Sequence, residues 1–130
     1  MIGLDSNVIV RILVRDDETQ TLRAERLIAA SGPSGAFVSL IVLIETVWVI
    51  EHSYGRDRRE VIKALEGLLA TTELVIEGEP LVRTALVAFA ASSADFADAL
   101  IGELNRAAGC SSTATFDRKA ARLDGFSRVP

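Results

Sequence analysis

Short apolar runs alternate along this chain with longer segments of helical period, and that alternation restricts the fold more than any other feature. Met1–Leu4, Ala36–Val38, Leu74–Ile76 and Ser111–Thr115 are too short for helices and end at turn or capping residues, so each reads as a strand. Asp5-Ser6-Asn7 are capping residues that open a helix carrying Val8, Ile9, Ile12 and Leu13 inward. Asp16-Asp17-Glu18 breaks it, and Thr19–Ala30 follows as an amphipathic helix with Leu22, Leu27 and Ile28 on its apolar side. Ser39 caps a helix over Leu40–Ser53, although the β-branched residues there favour strand locally. Asp57 caps another to about Ala70, with Val61, Ile62, Leu65, Leu68 and Leu69 on one face. Glu79-Pro80 opens a helix ending near Ser92-Ser93, and Asp95–Ala108 forms one stopped by Gly109. Asp117–Leu123 reads as a short helix, and a last strand lies near Arg128-Val129. Strands alternating with helices predict an α/β protein, with helices packed on a mostly parallel sheet of four or five strands. Sites in such sheets gather at the carboxyl ends of the strands. A chain of 130 residues suits a single domain with its own core.

Composition excludes several chemistries. Cys110 is the only cysteine, so an intrachain disulfide and a cysteine zinc site are impossible. Burial is the expected fate of this thiol. His52 is the only histidine, which removes two-histidine catalysis within one chain, and no Gly-x-Ser-x-Gly turn presents a serine for a triad. No phosphate-binding Gly-rich loop is present. The formal net charge of −4 does not mark a nucleic-acid binder, though a local basic rim beside an acidic site is compatible with one. The longest apolar run, Ala36–Ile50, is shorter than a membrane span and contains Glu45, and no basic-flanked leader opens the chain. A cytoplasmic protein is therefore expected.

Four acids stand against apolar segments. Asp5 follows Met1–Leu4, Glu45 lies between Phe37–Ile44 and Thr46–Ile50, Asp98 lies within Phe96–Ile101, and Asp117 follows Ala114-Thr115-Phe116. An ionised carboxylate in apolar surroundings is costly unless a cation or donors meet it, so one shared divalent-metal site is a coherent reading. Helical spacing surrounds Glu45 with Ile41, Val42, Trp48 and Val49, which predicts restricted access to solvent and a core position for Trp48. Each acid also has a plainer role. Asp5 and Asp117 can cap helices, and Asp95 and Asp98, three apart on one face, suit the first turn of a helix by its dipole. His52 reads as a surface or capping residue, and Arg11 and Arg15 lie on the helix that begins near Asp5, where they can flank a substrate channel.

Leu4-Asp5-Ser6-Asn7-Val8-Ile9-Val10-Arg11 resembles the opening motif of PIN-domain proteins, with Ser6 in place of the usual threonine. Ser39-Leu40 leading to Ile44-Glu45 is similar to the second acidic motif, Asp95–Ile101 to the third and Thr115-Phe116-Asp117 to the fourth. The four run in order over nearly the whole chain, whose size suits a single-domain toxin of the VapC type. The resemblance implies one PIN-like domain over residues 1–130, an α/β/α sandwich, and a Mg²⁺- or Mn²⁺-dependent endoribonuclease of a type II toxin–antitoxin system that cleaves RNA with a metal-activated water. Asp5, Glu45, Asp98 and Asp117 match its acidic quartet, with Asp5 and Asp98 as metal ligands and Asp95, Ser6, Asn7 and Thr115 as accessory residues. It further implies a VapB-type antitoxin, an RNA substrate and a homodimer, with no membrane attachment. Two rival readings fit the same residues. A haloacid-dehalogenase-like phosphatase also places an aspartate after its first strand, but it needs a second aspartate where Asn7 stands. The other is an acidic α/β module that binds metal or a basic peptide without catalysis.

Overall fold

The computed structural model describes residues 1–130 as two compact units, Met1–Glu77 and Gly78–Pro130. The first contains β1 (Ile2–Gly3), α1 (Ser6–Val14), α2 (Glu18–Ala29), β2 (Ala36–Val38), α3 (Leu40–His52), α4 (Arg58–Ala70) and β3 (Leu74–Ile76). Its strands pair in the order β1-β2-β3, all parallel, with Ile2 opposite Ala36 and Phe37 opposite Val75. Parallel pairing follows from the helical crossovers between consecutive strands. The ladder continues past the assigned ends, where Leu4 N–H donates to Phe37 O at 2.9 Å and Glu77 N–H to Val38 O at 3.0 Å. Three caps foreseen from sequence are present: Asp5 before α1, Ser39 before α3, and Asp57 before α4, where Asp57 and Glu60 bond reciprocally. The core of this unit is Ile9, Val38, Leu43, Val61 and Leu65.

The second unit contains α5 (Glu79–Ala90), α6 (Phe96–Ala107), β4 (Thr113–Thr115) and β5 (Phe126–Arg128), again a parallel pair. The five strands thus form two parallel ladders, of three and two strands. Helices α5 and α6 pack on each other, with Phe89 meeting Phe96 and with Val82 and Leu100 buried. Gly102, in the middle of α6, allows the Phe126 ring of β5 to lie against the helix; a Cβ there would clash with that ring. The expected helix over 117–123 is only a 3-10 turn, Ala120–Arg122.

Several burial expectations fail. Met1, Ile2 and Gly3 are exposed, and only Leu4 of the first run is buried. On α2 the inward face is Thr21, Ala24 and Ile28, with Leu22 and Leu27 left outside. Small residues let α2 approach α1 closely, and the Thr21 hydroxyl donates to Arg11 O at 3.1 Å. On α3 the core takes Leu43, Thr46, Val47 and Ile50, which turns Ile41, Glu45, Trp48 and His52 outward along the opposite face. Trp48 is 57% exposed and stacks on His52, with ring centroids 4.5 Å apart. A helix apolar on all sides carries no moment to say which face goes inward. Cys110, expected inside, is exposed.

The Thr46 hydroxyl is buried without a partner. Replacing it with a methyl group removes an unsatisfied polar atom, so Thr46→Val is expected to stabilise the fold by about 1 kcal/mol. Urea unfolding checks this: the midpoint should rise with an unchanged slope, and a lower midpoint would refute it.

Candidate active site

In the first unit, Asp5 ends β1 and caps α1. Its Oδ1 accepts from Ser6 N–H at 2.7 Å, which leaves Oδ2 without a protein donor. An extended backbone at Asp5, φ −86° and ψ 160°, lets the side chain fold back over the first turn. Ser6 is buried, 8% exposed, and its hydroxyl donates to Glu45 Oε1. One serine therefore links the strand end that carries Asp5 to the α3 turn that carries Glu45. Contrary to the sequence expectation, Glu45 is exposed, because it lies on the outward face of α3. Asn7 is also exposed, one residue beyond Ser6.

Sequence reasoning passed over Glu77. It follows β3 as Asp5 follows β1, and its Oε1 accepts from Leu40 N–H at 2.9 Å. Ser39 Oγ accepts from Val42 N–H at 3.3 Å. The start of α3, five residues before Glu45, is therefore held by caps from two strand ends. An acid directly after a short apolar run was the available signal, the same one that marked Asp5 and Asp117.

In the second unit, Asp95 and Asp117 both act on Asp98. Asp95 occupies the N-cap position of α6, but its side chain makes no capping hydrogen bond, so the plain capping role is not realised. Asp98 lies in the first turn, half-buried. Burial pushes its carboxyl above the ordinary aspartate value, the charges of Asp95 and Asp117 push it further, and a hydrogen bond with the Asp95 backbone partly offsets both. Asp117 follows β4, where its N–H donates to Thr115 Oγ1 at 3.0 Å and its Oδ1 accepts from Ala120 N–H at 2.8 Å. Thr115 thus shapes the turn that presents Asp117, and Asp117 both caps that turn and acts on Asp98. His52 keeps its plain role, with Nδ1 3.0 Å from Trp48 O on the surface of α3.

No group of three or more His, Cys, Asp or Glu side chains is arranged as a ready metal cage. Each unit nonetheless supplies carboxylate oxygens of the kind a hard divalent cation takes. Mg²⁺ retains several waters and takes only one or two protein carboxylates together with substrate phosphates. Asp5 offers a carboxylate oxygen without a donor, and Asp98 is an acid whose charge no cation offsets.

The PIN domain family matches residues 2–126. The chain belongs to the PIN domain family. This PIN protein is 26% identical over 129 residues to a VapC ribonuclease of Aquifex aeolicus (strain VF5), an alignment covering 97% of the chain and 93% of the relative. It is also similar, at 23% identity and a TM-score of 0.45 over 93% of each chain, to the crystal structure of Mycobacterium tuberculosis VapC20, a sarcin–ricin loop cleaving toxin. The phosphatase alternative falls with the family match. No helix of this PIN protein is long and apolar enough to cross a membrane.

Proposed function

We propose that this PIN protein is a Mg²⁺- or Mn²⁺-dependent endoribonuclease and the toxin half of a VapBC-type pair, with Asp5, Glu45, Asp98 and Asp117 as its acidic residues. The observation that carries the reading is the PIN family match over residues 2–126, supported by the VapC ribonuclease relative; the crowding of Asp98 by Asp95 and Asp117 is a cost that a cation would relieve. The cation would supply Lewis acidity toward phosphate oxygens and a more acidic water. Asp5 in the first unit and Asp98 in the second are each proposed as a metal ligand. Ser6 holds Glu45 by a hydrogen bond, and Thr115 holds the turn at Asp117. Asp98, with its raised pKa, keeps a proton to higher pH than an ordinary aspartate. A VapB-type antitoxin, a homodimer and a cytoplasmic location belong to the same proposal.

The test is cleavage of total RNA by the purified protein with Mg²⁺, with EDTA, and with Asp5→Ala in Mg²⁺. Cleavage is expected only in the first case, with an unchanged melting temperature in the variant as the control for folding. Full activity of Asp5→Ala, or cleavage that survives EDTA, would reject the assignment.

A further inference from the structure

A groove of about 520 Å³ runs between α1 and α2 and is lined by Asn7, Val8, Arg11, Gln20, Arg23, Ala24 and Leu27. It begins beside the acids, since Asn7 follows Asp5 and Ser6 directly, and one helical turn carries it from Asn7 to Arg11. No acid lines it, in a chain whose formal net charge is −4. Every charged or polar side chain of the lining, Asn7, Arg11, Gln20 and Arg23, can donate hydrogen bonds.

The two arginines differ in their restraint. Arg11 donates to Asp16 and, at 3.4 Å, to the Tyr54 hydroxyl, which hold its planar fork in place. A guanidinium carries five N–H donors, so these bonds do not exhaust it. Arg23 is exposed and forms no ion pair. It is a cation whose charge the protein leaves unmatched.

We propose that this groove is the track along which the RNA backbone leaves the acidic site, with Arg23 as a phosphate contact and Arg11 as a fixed donor behind it. The inference rests on the ribonuclease reading above and identifies where the substrate lies. Charge complementarity selects the occupant: a donor-lined, acid-free groove in an acidic protein suits a polyanion, and bidentate phosphate contact is what arginine does best. The carboxylates would repel the same backbone, so a basic track beside them keeps the strand bound where cleavage must occur.

The test uses a mixed-sequence single-stranded RNA oligonucleotide with a fluorescent end label. Binding is read by anisotropy in EDTA, so no turnover intervenes, and cleavage is read separately with Mg²⁺. Arg23→Glu is expected to weaken binding roughly tenfold and to raise KM by a similar factor, with kcat within about twofold. The slope of log affinity against log salt should fall by about 0.7, the value for one phosphate contact on a single strand. Arg23→Lys, which keeps the charge but not the bidentate fork, should restore part of the affinity. Arg26→Glu makes the same charge change on α2 outside the groove lining and should leave binding unchanged. Binding and salt slope unaltered in Arg23→Glu, or equal losses in Arg23→Glu and Arg26→Glu, would overturn the proposal and leave the groove to a protein partner. Loss of Mg²⁺-dependent cleavage in the unaltered protein would instead overturn the ribonuclease reading, so the two failures are separable.

Discussion

Asp98→Asn is expected to lower RNA cleavage by at least about a hundredfold while making the folded protein slightly more stable at neutral pH. The two effects have one cause. Asp98 is crowded by burial and by the charges of Asp95 and Asp117, so its carboxyl titrates above the ordinary value of 3.8. A folded-state pKa above the unfolded one gives a contribution that is complete below the unfolded value and is lost as pH rises through the folded value. At neutral pH the wild-type chain has therefore lost that contribution, and an asparagine, which cannot ionise, removes the penalty. Melting curves of both proteins check the sign. The variant should lead at neutral pH, and the gap should close as the pH falls below the ordinary aspartate value. Mg²⁺ should raise the wild-type melting temperature more than that of the variant, because a ligand that binds only the folded form stabilises it. A variant less stable than wild type at neutral pH, or one that cleaves RNA at the wild-type rate, would contradict the assignment.

Phe96→Ala is expected to cost about 3–5 kcal/mol, a large share of the stability of a protein this size. Phe96 is 1% exposed and meets Phe89 of α5 edge-to-face, with ring centroids 5.8 Å apart and planes at 83°. It is also the first residue of α6, between Asp95 and Asp98. Its ring fixes the start of the helix against α5, so the truncation opens a cavity beneath the turn that presents Asp98. Urea unfolding measures the loss directly, and Phe96→Leu, which keeps much of the volume, should lose less. A cost below about 1 kcal/mol in the alanine variant would mean that the site collapses around the gap and that the ring does not anchor the helix.

Most of the element order was readable from residues alone because the signals are local. Strands ending at Gly3, Val38 and Ile76 are followed within two residues by Asp5, Ser39 and Glu77, and the helix starts foreseen at Asp5, Ser39 and Asp57 are present. The acidic motifs were readable for the same reason, since each is a short run around one acid. The Ser6–Glu45 bond joins residues 39 positions apart, and nothing in either motif announces it.

Local chemistry set where strands and helices begin, where chain direction reverses and which acids stand at strand ends, because capping, turn and apolar-run preferences act over a few residues. Packing alone decided that Glu45 and Trp48 face outward while Thr46 faces inward, that Thr21 and Ala24 rather than Leu22 and Leu27 meet α1, and that Asp117 acts on Asp98. Those outcomes depend on which of several equally apolar faces finds a complementary surface, and that surface comes from residues far away in the chain.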